Sequence, residues 1–148
     1  MAVQKLALRV TEKEAAFKVF GSTGTATINL DTDLLTSNQI LDPVGARKVN
    51  ITSLYWAGDS DVIIEIVRNS VVIATLQANA AGMMPFGGTG SNYVDSVENG
   101  SNIVVNITGG TGTKNGQLWI SLTKASGFKQ KFEPAQFGSY DNPTVSGA

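Results

Sequence analysis

Apolar and polar residues alternate along most of the chain. Leu6, Leu8 and Val10 alternate with Lys5, Ala7 and Arg9, and Ala26, Ile28 and Leu30 with Thr25, Thr27 and Asn29. The same two-residue period runs through Val49–Trp56, through Ile103, Val105 and Ile107, and through Leu118, Ile120 and Leu122. Successive side chains of a strand point to opposite faces, so each run predicts a strand with one buried face. From Val62 to Arg68 and from Val71 to Leu76 both faces are apolar, which predicts strands covered on both sides. Between Glu12 and Phe20 two readings compete. Thr11 and Glu14 have the spacing of a helix capping box, whereas Phe17, Val19 and Phe20 suit a strand, and strand is preferred.

Turn chemistry separates these runs: Gly58-Asp59-Ser60, Arg68-Asn69-Ser70, Asn99-Gly100 and Asn115-Gly116. Asn tolerates the left-handed backbone of a short hairpin, and Asn-Gly is the preferred pair for a type I′ turn. Pro43, Pro85, Pro134 and Pro143 all fall outside the runs, as a strand ladder requires. The expectation is an all-β, antiparallel β-sandwich or jelly-roll-like barrel over residues 1–124. A meander of five strands is expected between Val49 and Thr123, with two or three strands before it. Two stretches fall outside this pattern. Asn79–Ser101 is expected to be a long loop presenting Met83, Met84 and Phe86 to a partner. Residues 125–148 are expected to be an extended C-terminal arm. Tails without structure are poor in aromatics, yet this one carries Phe128, Phe132, Phe137 and Tyr140, which suits docking on another molecule.

Composition narrows the function. A chain of 148 residues suits one core. Its net charge of -1 and interspersed charges give no clustered basic face for nucleic acid. There is no cysteine and no histidine, which removes disulfides, thiolate zinc sites, a cysteine nucleophile and the usual general base. No apolar run is long enough for a signal peptide or a membrane helix, so a soluble chain without membrane contact is expected.

The candidate chemistry is sparse. Asp31 and Asp33, and Asp59 and Asp61, form acidic pairs, but neither loop supplies the further ligands of a calcium site, and Asp is common in turns. Asp59, Asp61 and Glu65 would sit at a convex hairpin tip, not across a cleft. Gly109-Gly110-Thr111-Gly112 with Lys114 lacks the Gly-Lys-Ser/Thr opening a helix that defines a phosphate-binding loop. No catalytic residue, metal site or cofactor is expected. Trp56 and Trp119 could form a sugar platform if both faced outward, but burial in the core is preferred.

The segments Ile51-Thr52-Ser53-Leu54-Tyr55-Trp56, Val62-Ile63-Ile64-Glu65-Ile66-Val67-Arg68-Asn69, Ile73-Ala74-Thr75-Leu76 and Leu118-Trp119-Ile120-Ser121-Leu122-Thr123-Lys124 carry a likeness. Over about the middle half of the chain they resemble small virion structural proteins of tailed bacteriophages. The capsid decoration (cement) proteins of marine and cyanobacterial phages are the nearest in style. The resemblance implies a non-enzymatic β-rich subunit on the outer surface of the virion. It would bind the major capsid protein and copies of itself, as a trimer if it occupies threefold positions. The alternatives are another virion part, such as a tail, connector or fibre-base subunit, and a carbohydrate- or surface-binding module.

Overall fold

The computed structural model describes residues 2–43, 46–85 and 99–130. Eleven strands form in these segments: β1 Gln4–Val10, β2 Glu14–Gly21, β3 Gly24–Ile28, β4 Gln39–Leu41, β5 Lys48–Gly58, β6 Ile63–Arg68, β7 Val71–Gln77, β8 Gly82–Pro85, β9 Ile103–Thr108, β10 Gly116–Ser126 and β11 Phe128–Gln130. A single 3-10 turn, Ala78–Ala80, is the one helical element among the described residues. The chain is all-β, and the strand pairs among the described residues are antiparallel.

Two sheets face each other. The five-stranded sheet has the order β1-β2-β10-β5-β8, the four-stranded sheet β3-β9-β6-β7, and β11-β4 form a small third ladder. Most inward residues are those the alternation marks, but in β5 a register shift between Ile51 and Ser53 puts Leu54 inside with Ile51, and Tyr55 outside, where simple alternation sets Ile51 and Tyr55 on one face. Phe17, Val19, Ile51, Leu54, Leu118, Ile120 and Leu122 from one sheet meet Ile28, Ile64, Ile66, Ile103, Val105 and Ile107 from the other. Fully burying a side chain of this size stabilises the fold by about 1.5–3 kcal/mol.

The expected meander does not form. Of the strands between Val49 and Thr123, β6 and β7 make a hairpin, but β5 pairs with β10 and β8, and β9 pairs with β3 and β6. The chain crosses repeatedly between sheets. Alternation reports which face is buried and carries no information about which strand lies alongside. The type I′ signature is also elsewhere: Asn69 (φ 48) and Ser70 (φ 65) turn the β6–β7 hairpin, while Asn115-Gly116 ends a loop between sheets without positive φ. Residues 71–76 are not covered on both sides, since Val71 and Val72 are exposed.

Thr11 and Glu14 cap no helix. Thr11 Oγ1 accepts the Glu14 N–H at 3.0 Å and Thr11 N–H donates to Glu14 O at 2.7 Å, so the pair closes the β1–β2 turn. A bulge between Ala7 and Arg9 in β1 then shifts the register. Val10 packs on the core, whereas Leu6 and Leu8, on the same side in the simple alternation, are each 50% exposed. Lys5 points inward, where its Nζ donates to Thr27 O at 2.8 Å and pairs with Asp33, tying β1 to the segment after β3.

One buried charge fastens three segments. Arg68 is 0% exposed, in step with Ile64 and Ile66 on the inner face of β6. Its Nη1 donates to Val49 O at 2.9 Å and its Nη2 to Asn99 O at 2.9 Å and Ser101 O at 2.8 Å. Placing a guanidinium in an interior is tolerable when its donors are satisfied in this way.

Residues 125–130 belong to the fold, which moves the expected domain boundary at 124. β10 runs on to Ser126, Gly127 turns the chain with φ +91, and β11 pairs with β4. A Cβ on Gly127 would lie 2.5 Å from Arg47 Cα, so both the backbone angle and the close approach require glycine.

Candidate functional site

The outer face of the five-stranded sheet is the most distinctive surface of the described residues. The register sets five side chains in one row across all its strands. Leu6 on β1 lies opposite Lys18 on β2, Lys18 opposite Trp119 on β10, Trp119 opposite Tyr55 on β5, and Tyr55 opposite Met83 on β8. Four inter-strand steps make the row about 19 Å long. Tyr55 is 54% exposed and Met83 58% exposed. Phe20 and Gln117 follow in the next row, and Ala16, Ser121 and Ser53 flank the other side. Grouped apolar exposure of this kind marks a contact surface, unlike single exposed apolar residues.

The row has internal geometry. Tyr55 and Trp119 meet edge to face, with ring centroids 6.0 Å apart and planes at 79°. The Lys18 ammonium lies 5.1 Å from the Phe20 ring centre and 5.4 Å from that of Trp119. Such cation–π placement suits a cation on a half-desolvated aromatic surface.

The two tryptophans share a sheet but not a face. Trp119 is on the outer side, half-buried, whereas Trp56, opposite Leu118 and Gly82, turns inward and packs on the core. Gly82 is needed there, because a Cβ would stand 2.8 Å from Trp56 Cζ2. The alternative of a sugar platform pairing Trp56 with Trp119 therefore fails; the preferred core position holds for Trp56, which is partly buried against the core, but not for Trp119, which lies on the outer face. The Tyr55 and Trp119 rings share the outer face but are nearly perpendicular, so they give no coplanar floor for successive pyranose rings.

Met83 and Met84 are in β8, not in a loop. β8 extends the sheet at its edge, and Met83 joins the outer row while Met84 lies opposite Leu54 on the other side. Phe86 lies outside the described residues. Phe128, expected on a free arm, packs against the core, with Lys124 Nζ 4.8 Å from its ring centre. Phe132, Phe137 and Tyr140 lie outside the described residues. The sequence offers Tyr55, with Trp56 and Trp119, as a ring that a surface-binding module would need exposed on one face; it does not point to Lys18, whose alignment with Trp119 depends on which strands are neighbours.

A second cluster holds β11 and β4 to the sandwich. Lys124 Nζ donates to Gln39 Oε1 at 2.7 Å, Gln39 Nε2 donates to Glu12 O at 2.9 Å, and Gln130 Nε2 donates to Glu12 Oε1 at 2.6 Å. Burial brings the Lys124 ammonium from 10.5 down to about 8, opposed by the nearby Glu12 charge.

Asp59 and Asp61 serve the loops they lie in. Asp59 accepts the Asn115 N–H at 2.8 Å, and Asp61 pairs with Lys114 at 2.9 Å. Lys114 is thus engaged in a loop between sheets. Among the described residues no three acidic side chains gather to hold a metal, and no helix is long and apolar enough to cross a membrane.

No family model matches the chain, and no curated protein matches it. Among solved structures the chain is similar to an uncharacterized conserved protein with a double-stranded beta-helix domain from Klebsiella pneumoniae. That likeness is at 9% identity over 89% of this chain and 86% of that one, with a TM-score of 0.33. The architecture therefore rests on this chain's own strand pairing and core.

Proposed function

We propose that this protein is a non-enzymatic structural subunit of a bacteriophage virion that binds the outer surface of the capsid and reinforces it. The observation that carries this reading is the row Leu6–Lys18–Trp119–Tyr55–Met83, an aromatic and apolar stripe set on a rigid sheet. A rigid face loses little conformational entropy on docking. The face is small, so a single contact is weak, and a lattice of identical contacts raises occupancy through effective concentration. The likeness of the β5, β6, β7 and β10 segments to virion structural proteins supports the same assignment, with the major capsid protein and further copies of this chain as partners.

The test is co-sedimentation of the purified protein with expanded heads of the phage that encodes it. The expected result is saturable binding, weakened by Trp119→Ala and Tyr55→Ala, and heads that break more readily when the protein is deleted. Absence of binding together with unaltered head stability overturns the assignment.

A further inference from the structure

We infer that the outer face of the five-stranded sheet recognises a protein surface that presents a carboxylate within an apolar patch, with Lys18 as the residue that selects it. The inference rests on the proposed docking role of this face and adds the chemistry of the partner. The argument is one of charge complementarity. Arg9 and Glu14, at the rim of the face, form an ion pair with each other. Lys5, on the same edge, is turned inward onto Asp33. Lys18 makes no ion pair with any described residue, and its ammonium is instead held between the Phe20 and Trp119 rings. Among the described residues Lys18 is thus an uncompensated positive charge near the middle of the face, ringed by Leu6, Phe20, Trp119, Tyr55 and Met83.

A partner that covers this face desolvates that ammonium. An apolar partner would leave a buried unpaired charge, which is strongly unfavourable. A carboxylate restores the lost solvation by a charge-assisted hydrogen bond, while its apolar surroundings bury the ring of side chains. A second copy docked with its axis across the strands would set Lys18 against Lys18, which repels.

The test uses small probes and the full-length protein. Amide chemical shifts are followed during titration with 4-phenylbutyrate, with 4-phenylbutylamine and with 4-phenylbutanol, and in a separate arm with cellohexaose. The expected result is that 4-phenylbutyrate binds best and shifts Lys18, Phe20, Trp119 and Tyr55. Its affinity should fall about threefold in Lys18→Gln, on the scale of one exposed ion pair, and return in Lys18→Arg. Equal response to the three phenyl probes, shifts centred elsewhere, or stronger response to cellohexaose overturns the inference. So does concentration-dependent dimerisation in sedimentation velocity that Tyr55→Ala abolishes, because the face would then serve a second copy. Head binding is measured separately: heads bound equally by wild type and Lys18→Gln refute the carboxylate and leave the docking role standing.

Discussion

The Tyr55 ring meets the Trp119 indole edge to face across the β5–β10 ladder, on the solvent side of the sheet. Pairs in this geometry gain about 0.5–1.5 kcal/mol beyond area burial. A double-mutant cycle with Tyr55→Ala and Trp119→Ala, read by urea unfolding, should return a coupling energy in that range. Additive effects of the two substitutions would show that the rings do not support each other.

Replacing Arg68 should be among the most damaging substitutions in the chain. Arg68→Met removes the side-chain donors to the carbonyls of Val49, Asn99 and Ser101, of which Asn99 O keeps the Val49 N–H at 2.9 Å. Each buried carbonyl without its donor costs about 1–3 kcal/mol, so with Val49 O and Ser101 O affected a loss of about 2 kcal/mol or more is expected from denaturant midpoints. Arg68→Lys should recover only part of it, since one ammonium cannot reproduce the spread of the guanidinium.

The β6–β7 turn offers a stabilising change. Ser70 is in the left-handed region at φ 65, where a Cβ is penalised. Ser70→Gly completes an Asn-Gly type I′ pair and should raise stability by about 0.5–1 kcal/mol, seen as a higher melting temperature. A lower melting temperature would mean that the Ser70 side chain holds the turn in another way.

Lys124 ties stability to alkaline pH. In the folded state burial lowers its ammonium to about 8, from its ordinary value of 10.5. Between these values the unfolded chain binds more protons than the folded one, so this residue's contribution to stability rises with pH across the window. Below about 8 both states are protonated and the burial penalty is fully present. Comparison with Lys124→Met by denaturant unfolding from pH 7 to 10.5 should therefore show the wild type gaining on the variant as pH rises. A difference independent of pH would contradict the lowered ammonium.

Period-two alternation marked the buried faces of β3, β9 and β10 because burial acts residue by residue. It could not order the strands, since that order is decided by loops and by side chains distant in sequence. β1 shows the limit: one bulged residue sends Leu6 and Val10 to opposite sides. Arg68 was legible in principle, for it continues the Ile64–Ile66 parity into the interior, yet a charged residue beside Asn69-Ser70 looks like part of a turn. The outer row was invisible for a different reason. Leu6, Lys18, Tyr55, Met83 and Trp119 are spread over most of the chain, and only the five-strand order brings them abreast.

The five-stranded sheet ends on both sides in strands ill suited to extension. β1 carries a bulge and the inward Lys5, and β8 contains Pro85, which has no N–H to donate to a further strand. Lateral growth into ribbons or fibrils is thereby discouraged at either margin. Docking through the broad outer face, as proposed, would then bring copies side by side, like tiles laid on a wall, with these two margins closed to strand addition.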